Sequence, residues 1–218
     1  MTSEDIAKQD AEFFKAWAKD KTLTRVNYNK KNPVKVAKKE PLFKNAASNF
    51  KKPPTQDHKA IYDALTTYCE KFPAVHKPNV ILSGATGTGK TFITQIIANV
   101  LYERRFDVQY TTAFGMVKEF QNYIQSFGRD DMMLNKFLEC DILIIDDLGS
   151  EPTIKNVTLE HIGNIINERL VNNRPFIITT NLSPQAIFEK YDQRIASRIL
   201  SKESSAVFEV KGKDLRLS

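Results

Sequence analysis

The most informative segment of the sequence is Gly84-Ala85-Thr86-Gly87-Thr88-Gly89-Lys90-Thr91. It fits G-x-x-x-x-G-K-[ST], the pattern of a phosphate-binding loop. The apolar run 79–83 before it predicts a buried strand, and apolar residues at helical spacing across 92–101 predict a helix after it. An ordinary glycine-rich turn needs neither neighbour, whereas a phosphate-binding loop needs both. The stretch therefore predicts a nucleotide-binding site.

The residues of this loop have separate chemical roles. The glycines let backbone N–H groups turn toward phosphate oxygens without a clash from Cβ, and the helix N-terminus behind the loop adds its dipole. Lys90 is expected to reach the β- and γ-phosphates, and the Thr91 hydroxyl is expected to bind Mg²⁺. All of residues 84–91 are therefore candidate nucleotide-binding residues, with Thr91 also a candidate metal ligand.

A second informative stretch, residues 140–149, has four consecutive apolar residues followed by Asp146 and Asp147. The apolar run predicts a strand buried on both faces, and parallel sheets bind ligands at the carboxyl ends of their strands. Asp146 is placed to hold Mg²⁺ directly or through water, and Asp147 to polarise the attacking water. Alone, an apolar run that ends in two carboxylates is a weak signal, but after a phosphate-binding loop it becomes a strong one.

Polar residues that follow the later elements add further candidates. The predicted strand 175–181 ends in Asn181, whose amide is expected to orient water near the γ-phosphate; taken alone, such an asparagine is more often a cap or turn residue. Arg194 and Arg198 lie four apart on one face of a predicted helix, 193–200. Arginines beside a bound nucleotide neutralise charge that develops in phosphoryl transfer, although most arginines form surface ion pairs.

The basic charge of the chain lies in its first quarter. Residues 1–56 contain 13 lysines and arginines against 6 carboxylates, a net charge of +7, so the remaining residues, with 19 against 20, carry −1. Such asymmetry indicates contact with nucleic acid or an acidic partner, or else a solvated linker. We divide the chain into residues 1–20, 21–56 and 57–218.

The three parts are predicted to differ in role. Residues 3–18 are predicted to form a helix capped by Ser3, with Phe13, Phe14 and Trp17 on one side. This helix either docks on a partner or packs on its own domain. Residues 21–56, with ten basic residues and four prolines, read as an extended connector. The remainder, 57–218, is expected to be the nucleotide-binding domain.

Composition also limits the cellular setting. The acidic N-terminus has no secretory segment, and the chain has no apolar run of membrane-spanning length. Cys69 and Cys140 lack histidine or cysteine partners at metal spacing, which indicates a reducing compartment and no zinc site. We expect a cytoplasmic protein without membrane contact.

Together these motifs resemble those of the AAA+ ATPases of the DnaC/DnaI helicase-loader and IstB family, over roughly residues 42–218. The shared features are the phosphate-binding loop, Ile-Asp-Asp-Leu-Gly at 145–149, Thr-Thr-Asn at 179–181, Arg-x-x-x-Arg at 194–198 and Gly-Lys-Asp-Leu-Arg at 212–216. The resemblance implies an α/β fold with a parallel sheet of about five strands flanked by helices, and ATP with Mg²⁺ as ligands. It implies roles for Asn181 as sensor 1, Arg198 or Arg194 as the arginine finger, and Arg216 as sensor 2.

The resemblance also implies partners. Residues 113–138 resemble a helical insert that contacts single-stranded DNA, which makes Phe114 and Lys118 candidate DNA contacts. An arginine finger acts on the nucleotide of a neighbouring subunit, so self-association is expected. The function that we expect is ATP-dependent loading of a hexameric replicative helicase onto single-stranded DNA.

Two departures from the family pattern qualify this expectation. Most AAA+ proteins have glutamate where this chain has Asp147; aspartate is common in the loader and IstB group, and its shorter reach implies slow hydrolysis. Since the sequence ends two residues after Arg216, little or no helical lid is expected. Three alternatives stay open: an IstB-type transposition helper, a P-loop small-molecule kinase and a nucleotide-binding module that does not hydrolyse.

Overall fold

A computed structural model of the chain describes residues 42–44, 46, 50, 53–125, 131–152 and 158–215. The predicted docking helix at 1–20, most of the predicted connector and Arg216 lie outside the described residues. No helix in the described ranges is long and apolar enough to cross a membrane.

The described residues form one parallel sheet with helices on both faces, as the sequence predicts. The strands are β1 Asn79–Ser83, β2 Val108–Thr112, β3 Ile142–Leu148, β4 Phe176–Thr180 and β5 Ser205–Glu209, in the spatial order β2-β3-β4-β1-β5. All four strand pairs are parallel. The helices are α1 Lys59–Lys71, α2 Lys90–Glu103, α3 Ala113–Gln125, α4 Asp131–Glu139, α5 Thr158–Val171, α6 Pro184–Lys190 and α7 Gln193–Ile199, and a 3-10 turn at Gln56–His58 precedes α1.

Alternate residues of the central strands enter two separate hydrophobic clusters. Ile142 and Ile144 pack in the cluster beneath α1 and α2, while Leu143 and Ile145 pack in the cluster beneath α3, α5 and α7. Side chains alternate between the faces of a strand, so a strand between two helical layers must be apolar at every position. This explains why the run 142–145 contains only isoleucine and leucine.

The strand order brings the predicted site residues together. The strand β4 lies between β1 and β3. The loop after β1 and the ends of β3 and β4 are therefore neighbours at the carboxyl ends of the parallel strands. Residues 210–215, the described segment after β5, contain no helix. The two cysteines are buried and free, and burial raises the pKa of Cys69 to about 12.

A buried arginine stabilises the opposite end of the sheet, where the strands β3 and β4 begin. Arg169, in α5, has no exposed surface, and its guanidinium donates to the carbonyl oxygens of Phe137 at 2.7 Å, Cys140 at 3.1 Å and Pro175 at 2.7 Å. It therefore ties the end of α4 to the starts of β3 and β4. Burial lowers the pKa of Arg169, but these contacts support its charged form.

Replacing Arg169 is expected to destabilise the fold strongly. Arg169→Met keeps most of the side-chain volume but leaves several buried carbonyl groups without donors, which should reduce the free energy of unfolding by about 3 kcal/mol or more. Urea unfolding followed by circular dichroism measures this loss. Arg194→Met, the same change at an exposed position, is the control and should shift stability by about 0.5 kcal/mol or less. Equal stabilities of the two variants would contradict this account.

Candidate nucleotide-binding site

The phosphate-binding loop joins β1 to α2 and requires glycine at two crowded positions. Gly84 has φ +148°, and a Cβ there would lie 2.3 Å from the Val210 carbonyl oxygen. Gly87 has φ +80°, and a Cβ there would lie 2.0 Å from a carboxylate oxygen of Asp214. The backbone N–H of Leu215 also donates to the Gly87 carbonyl oxygen at 2.9 Å. The segment after β5 therefore packs directly against the loop.

Lys90, the first residue of α2, is buried at the centre of the site. Its ammonium donates to the carbonyl oxygens of Gly84 at 2.8 Å and Ala85 at 2.7 Å, and to Asn181 Oδ1 at 2.7 Å. Only 6% of the residue is exposed. These three oxygens bind the Lys90 ammonium beside the loop. Phosphate oxygens are stronger acceptors for the same ammonium.

Two candidate oxygen ligands for Mg²⁺, the Thr91 hydroxyl and the Asp146 carboxylate, lie close together. The Thr91 hydroxyl donates to Asp146 Oδ1 at 3.2 Å, and the Thr179 hydroxyl donates to the same oxygen at 2.6 Å. Mg²⁺ prefers oxygen ligands and commonly takes one or two carboxylates together with substrate phosphates. The hydroxyl of Thr91 and the carboxylate of Asp146 fit such an ion. The described residues contain no group of three or more histidine, cysteine or acidic side chains arranged for a metal.

Asn181 lies between Lys90 and Asp147. While its Oδ1 accepts from Lys90, its Nδ2 donates to Asp147 Oδ1 at 3.0 Å. Asp147 has φ +59°, a left-handed conformation that is uncommon outside glycine and often marks functional sites. Its N–H donates to the Thr179 hydroxyl at 2.7 Å. The amide of Asn181 thus connects an ammonium and a carboxylate without adding charge.

A tyrosine and an asparagine connect this site to residues near the N-terminal end of the described chain. The Tyr110 hydroxyl lies 3.1 Å from the Thr94 hydroxyl, and burial, with the nearby charge of Asp146, raises the pKa of Tyr110. The ring of Phe43 packs edge-on against Tyr110 at 4.7 Å between centroids. Asn99, fully buried in α2, bonds both the N–H and the carbonyl oxygen of Phe43 at 2.9 Å. Part of the predicted connector therefore packs on the helix that carries Lys90.

A buried histidine in the turn before α1 also contacts the phosphate-binding loop. His58 Nε2 donates to the Thr88 carbonyl oxygen at 2.8 Å, because a carbonyl oxygen accepts only. His58 Nδ1 lies 2.6 Å from the Thr55 hydroxyl. The position of the loop thus depends on the 3-10 turn before α1, a contact that the sequence pattern does not predict.

The candidate arginine fingers and the candidate DNA contacts differ in how far they are exposed. Arg198 is half-buried and Arg194 exposed, and the structure records no side-chain hydrogen bond or ion pair for either among the described residues. Phe114 is 56% exposed in the first turn of α3, and Lys118 is exposed one turn later. Their roles stay predictions, as does that of Arg216, which lies outside the described residues.

Two residues of the site were missed by the sequence reasoning. Thr179 lies near the end of β4, two positions before Asn181, and period-two alternation of the predicted strand 175–181 would place both side chains on one face. Glu151 follows the turn after β3, and its buried side chain accepts from the Gly149 N–H at 2.7 Å. No local pattern distinguishes Glu151 from an exposed acidic residue.

Comparison with known proteins gives one family and one fold. The family model described as IstB-like ATP binding protein matches residues 8–218. The replicative helicase loader DnaI of Bacillus subtilis (strain 168) is 27% identical over 129 residues, which cover 59% of this chain and 41% of DnaI. The chromosomal replication initiator protein DnaA of Campylobacter jejuni subsp. jejuni (strain 81-176) is 30% identical over 135 residues, 61% of this chain and 29% of DnaA.

The fold has close counterparts among solved structures. A crystal structure of the DnaC helicase loader superimposes with a TM-score of 0.67 at 20% identity, covering 75% of this chain and 97% of that one. At this identity the likeness shows a shared fold, which in this chain is a five-stranded parallel sheet flanked by helices. The matched region spans less than half the length of the DnaI and DnaA relatives.

Proposed function

Since the chain belongs to the family of IstB-like ATP binding proteins, we propose that it is an ATPase that loads a hexameric replicative helicase onto single-stranded DNA. ATP binds at residues 84–91, and Mg²⁺ is held by Thr91 and Asp146. Asp147 polarises the attacking water, and its short side chain makes turnover slow. The observation that carries the proposal is the contact of Asn181 with both Lys90 and Asp147.

This contact supports a switch driven by ATP. Lys90 donates to Asn181 and to loop carbonyl oxygens, and an arriving triphosphate competes for the same ammonium. When Lys90 turns to phosphate, the Asn181 amide loses one of its two charged partners. The amide is then free to reorient toward the γ-phosphate and the water beside Asp147. Nucleotide binding thereby changes the surroundings of Asp147, the residue that polarises the attacking water.

Helicase loading is favoured by similarity to a protein named as a replicative helicase loader. The alternative is an IstB-type transposition helper, which is favoured by the family model that matches residues 8–218. Both use the same ATPase core and differ in the partner that receives the energy. A small-molecule kinase is the third candidate, and the loader proposal expects no phosphoryl transfer from ATP to nucleosides.

The N-terminal segment is expected to select the partner. Deleting residues 1–20 should abolish binding to a hexameric replicative helicase while ATP binding survives, because Phe13, Phe14 and Trp17 supply the aromatic contacts that dominate interface energies. Pull-down of purified helicase, with fluorescent ATP binding measured in parallel, tests this expectation. A deletion variant that binds helicase at full affinity would show that the segment is not the docking element.

Neutralising the connector is the matched comparison. Changing Lys30, Lys31, Lys35, Lys38 and Lys39 to glutamine should leave helicase binding intact, weaken single-stranded DNA binding and flatten its dependence on salt. The reason is that residues 57–218 carry almost no net charge and attract phosphate weakly. If the unaltered protein binds a transposase and no helicase, the transposition helper replaces the loader.

A further inference from the structure

The turn that follows β3 is held by one buried carboxylate. Asp147 and Gly149 both have positive φ, +59° and +105°, and the Ser150 N–H donates to the Asp147 carbonyl oxygen at 3.1 Å, so the chain turns directly after the proposed water-polarising residue. Glu151 Oε2 accepts from the Gly149 N–H at 2.7 Å, and Glu151 is 2% exposed. A buried carboxylate is unfavourable unless it is paired, so its partners define what it does.

Those partners come from the end of α6. The Tyr191 hydroxyl donates to Glu151 Oε1 at 2.5 Å, and Lys190 Nζ lies 3.3 Å from the same oxygen. Burial, followed by the hydrogen bond and charge of Glu151, raises the pKa of Tyr191, so the phenol stays a donor. Lys190 also donates to the Gly149 carbonyl oxygen. Both polar backbone groups of Gly149 are therefore bonded within this cluster.

The same cluster borders the helix that carries the arginine candidates. Asp192 follows Tyr191 directly, and its carboxylate caps α7 by accepting from the Ile195 N–H at 2.8 Å. Arg194 and Arg198 lie on α7. Glu151 is thus bonded on one side to the turn that carries Asp147 and on the other to the residue that precedes the cap of α7.

We propose that Glu151 is a positioning residue that fixes Asp147 at the nucleotide site relative to helix α7. It acts through Gly149 and Tyr191 and not through the phosphate-binding loop. The inference rests on the proposed ATPase function and adds a residue to it. It predicts that turnover depends on Glu151 while nucleotide affinity does not.

Glu151→Gln tests this separation in the full chain. The amide keeps the shape of the side chain but replaces one acceptor oxygen with a donor, so it cannot bond Gly149 N–H and Tyr191 hydroxyl as the carboxylate does. We expect kcat to fall about tenfold or more, with the Kd for ATP within about twofold of the unaltered protein. Glu189→Gln, the same change at an exposed position of α6, is the control and should leave both values unchanged.

Tyr191→Phe provides a second variant, since it removes the hydroxyl and keeps the ring. Its kcat should fall in the same direction with ATP affinity retained. An unchanged kcat in Glu151→Gln, or a parallel loss of kcat and ATP affinity, overturns the proposal. If the unaltered protein does not hydrolyse ATP, the proposed ATPase function fails. The positioning role of Glu151 is then tested separately, by hydrogen exchange of the Gly149 N–H. Faster exchange of the Gly149 N–H in Glu151→Gln than in Glu189→Gln supports it, and equal exchange overturns it.

Discussion

The variant Lys90→Ala is expected to lose ATP binding, with a Kd about 100-fold higher or more. Lys90 is buried, and its ammonium already donates to two carbonyl oxygens of the loop and to Asn181 Oδ1. Hydrogen bonds to charged groups contribute roughly 1.5–3 kcal/mol each, so loss of two phosphate contacts accounts for this change. Titration with a fluorescent ATP analogue measures the Kd.

Two comparison variants make this result specific to the site. Lys202→Ala removes an exposed lysine beyond α7 and should bind ATP like the unaltered protein. Asp146→Asn should retain nucleotide binding but lose Mg²⁺-dependent turnover, because it weakens the metal ligand and leaves the loop intact. Unchanged hydrolysis in Lys90→Ala or Asp146→Asn would rule out this site.

The sequence predicts this part of the site because its signals are local. The loop is recognised from eight consecutive residues, and Asp146 from its position at the end of a continuous apolar run. Parallel strands end at the same sheet edge, so the approach of Thr91 to Asp146 follows once both strands are recognised. The five-stranded parallel sheet was predicted on the same grounds together with the family resemblance.

The unpredicted contacts depend on tertiary structure. Tyr191 and Glu151 are separated by 40 positions, and Asn99 and Phe43 by 56. No periodicity relates such pairs, and a buried glutamate has the same letter as an exposed one.

The variant Arg198→Ala is expected to bind ATP normally and to hydrolyse it about 1,000-fold more slowly. An arginine that neutralises charge in phosphoryl transfer contributes at least this factor. Arg198 is half-buried in α7, and the arginine-finger hypothesis requires its guanidinium to reach the nucleotide of a neighbouring subunit. Steady-state hydrolysis with ATP binding measured in parallel tests the expectation. Arg194→Ala distinguishes the two candidates and should have the smaller effect.

Mixing variants tests whether Arg198 acts on a neighbour's nucleotide. An Asp147→Asn subunit keeps Arg198, and an Arg198→Ala subunit keeps Asp147, so a complete site forms only where the two meet in the correct order. Random association at equal amounts makes about one quarter of the interfaces complete, and activity should reach about that fraction of the unaltered protein and fall at either excess. Asp147→Asn mixed with Lys90→Ala is the control, because neither subunit then offers a complete nucleotide site. Absence of recovery at every ratio would assign Arg198 to its own subunit or to a structural role.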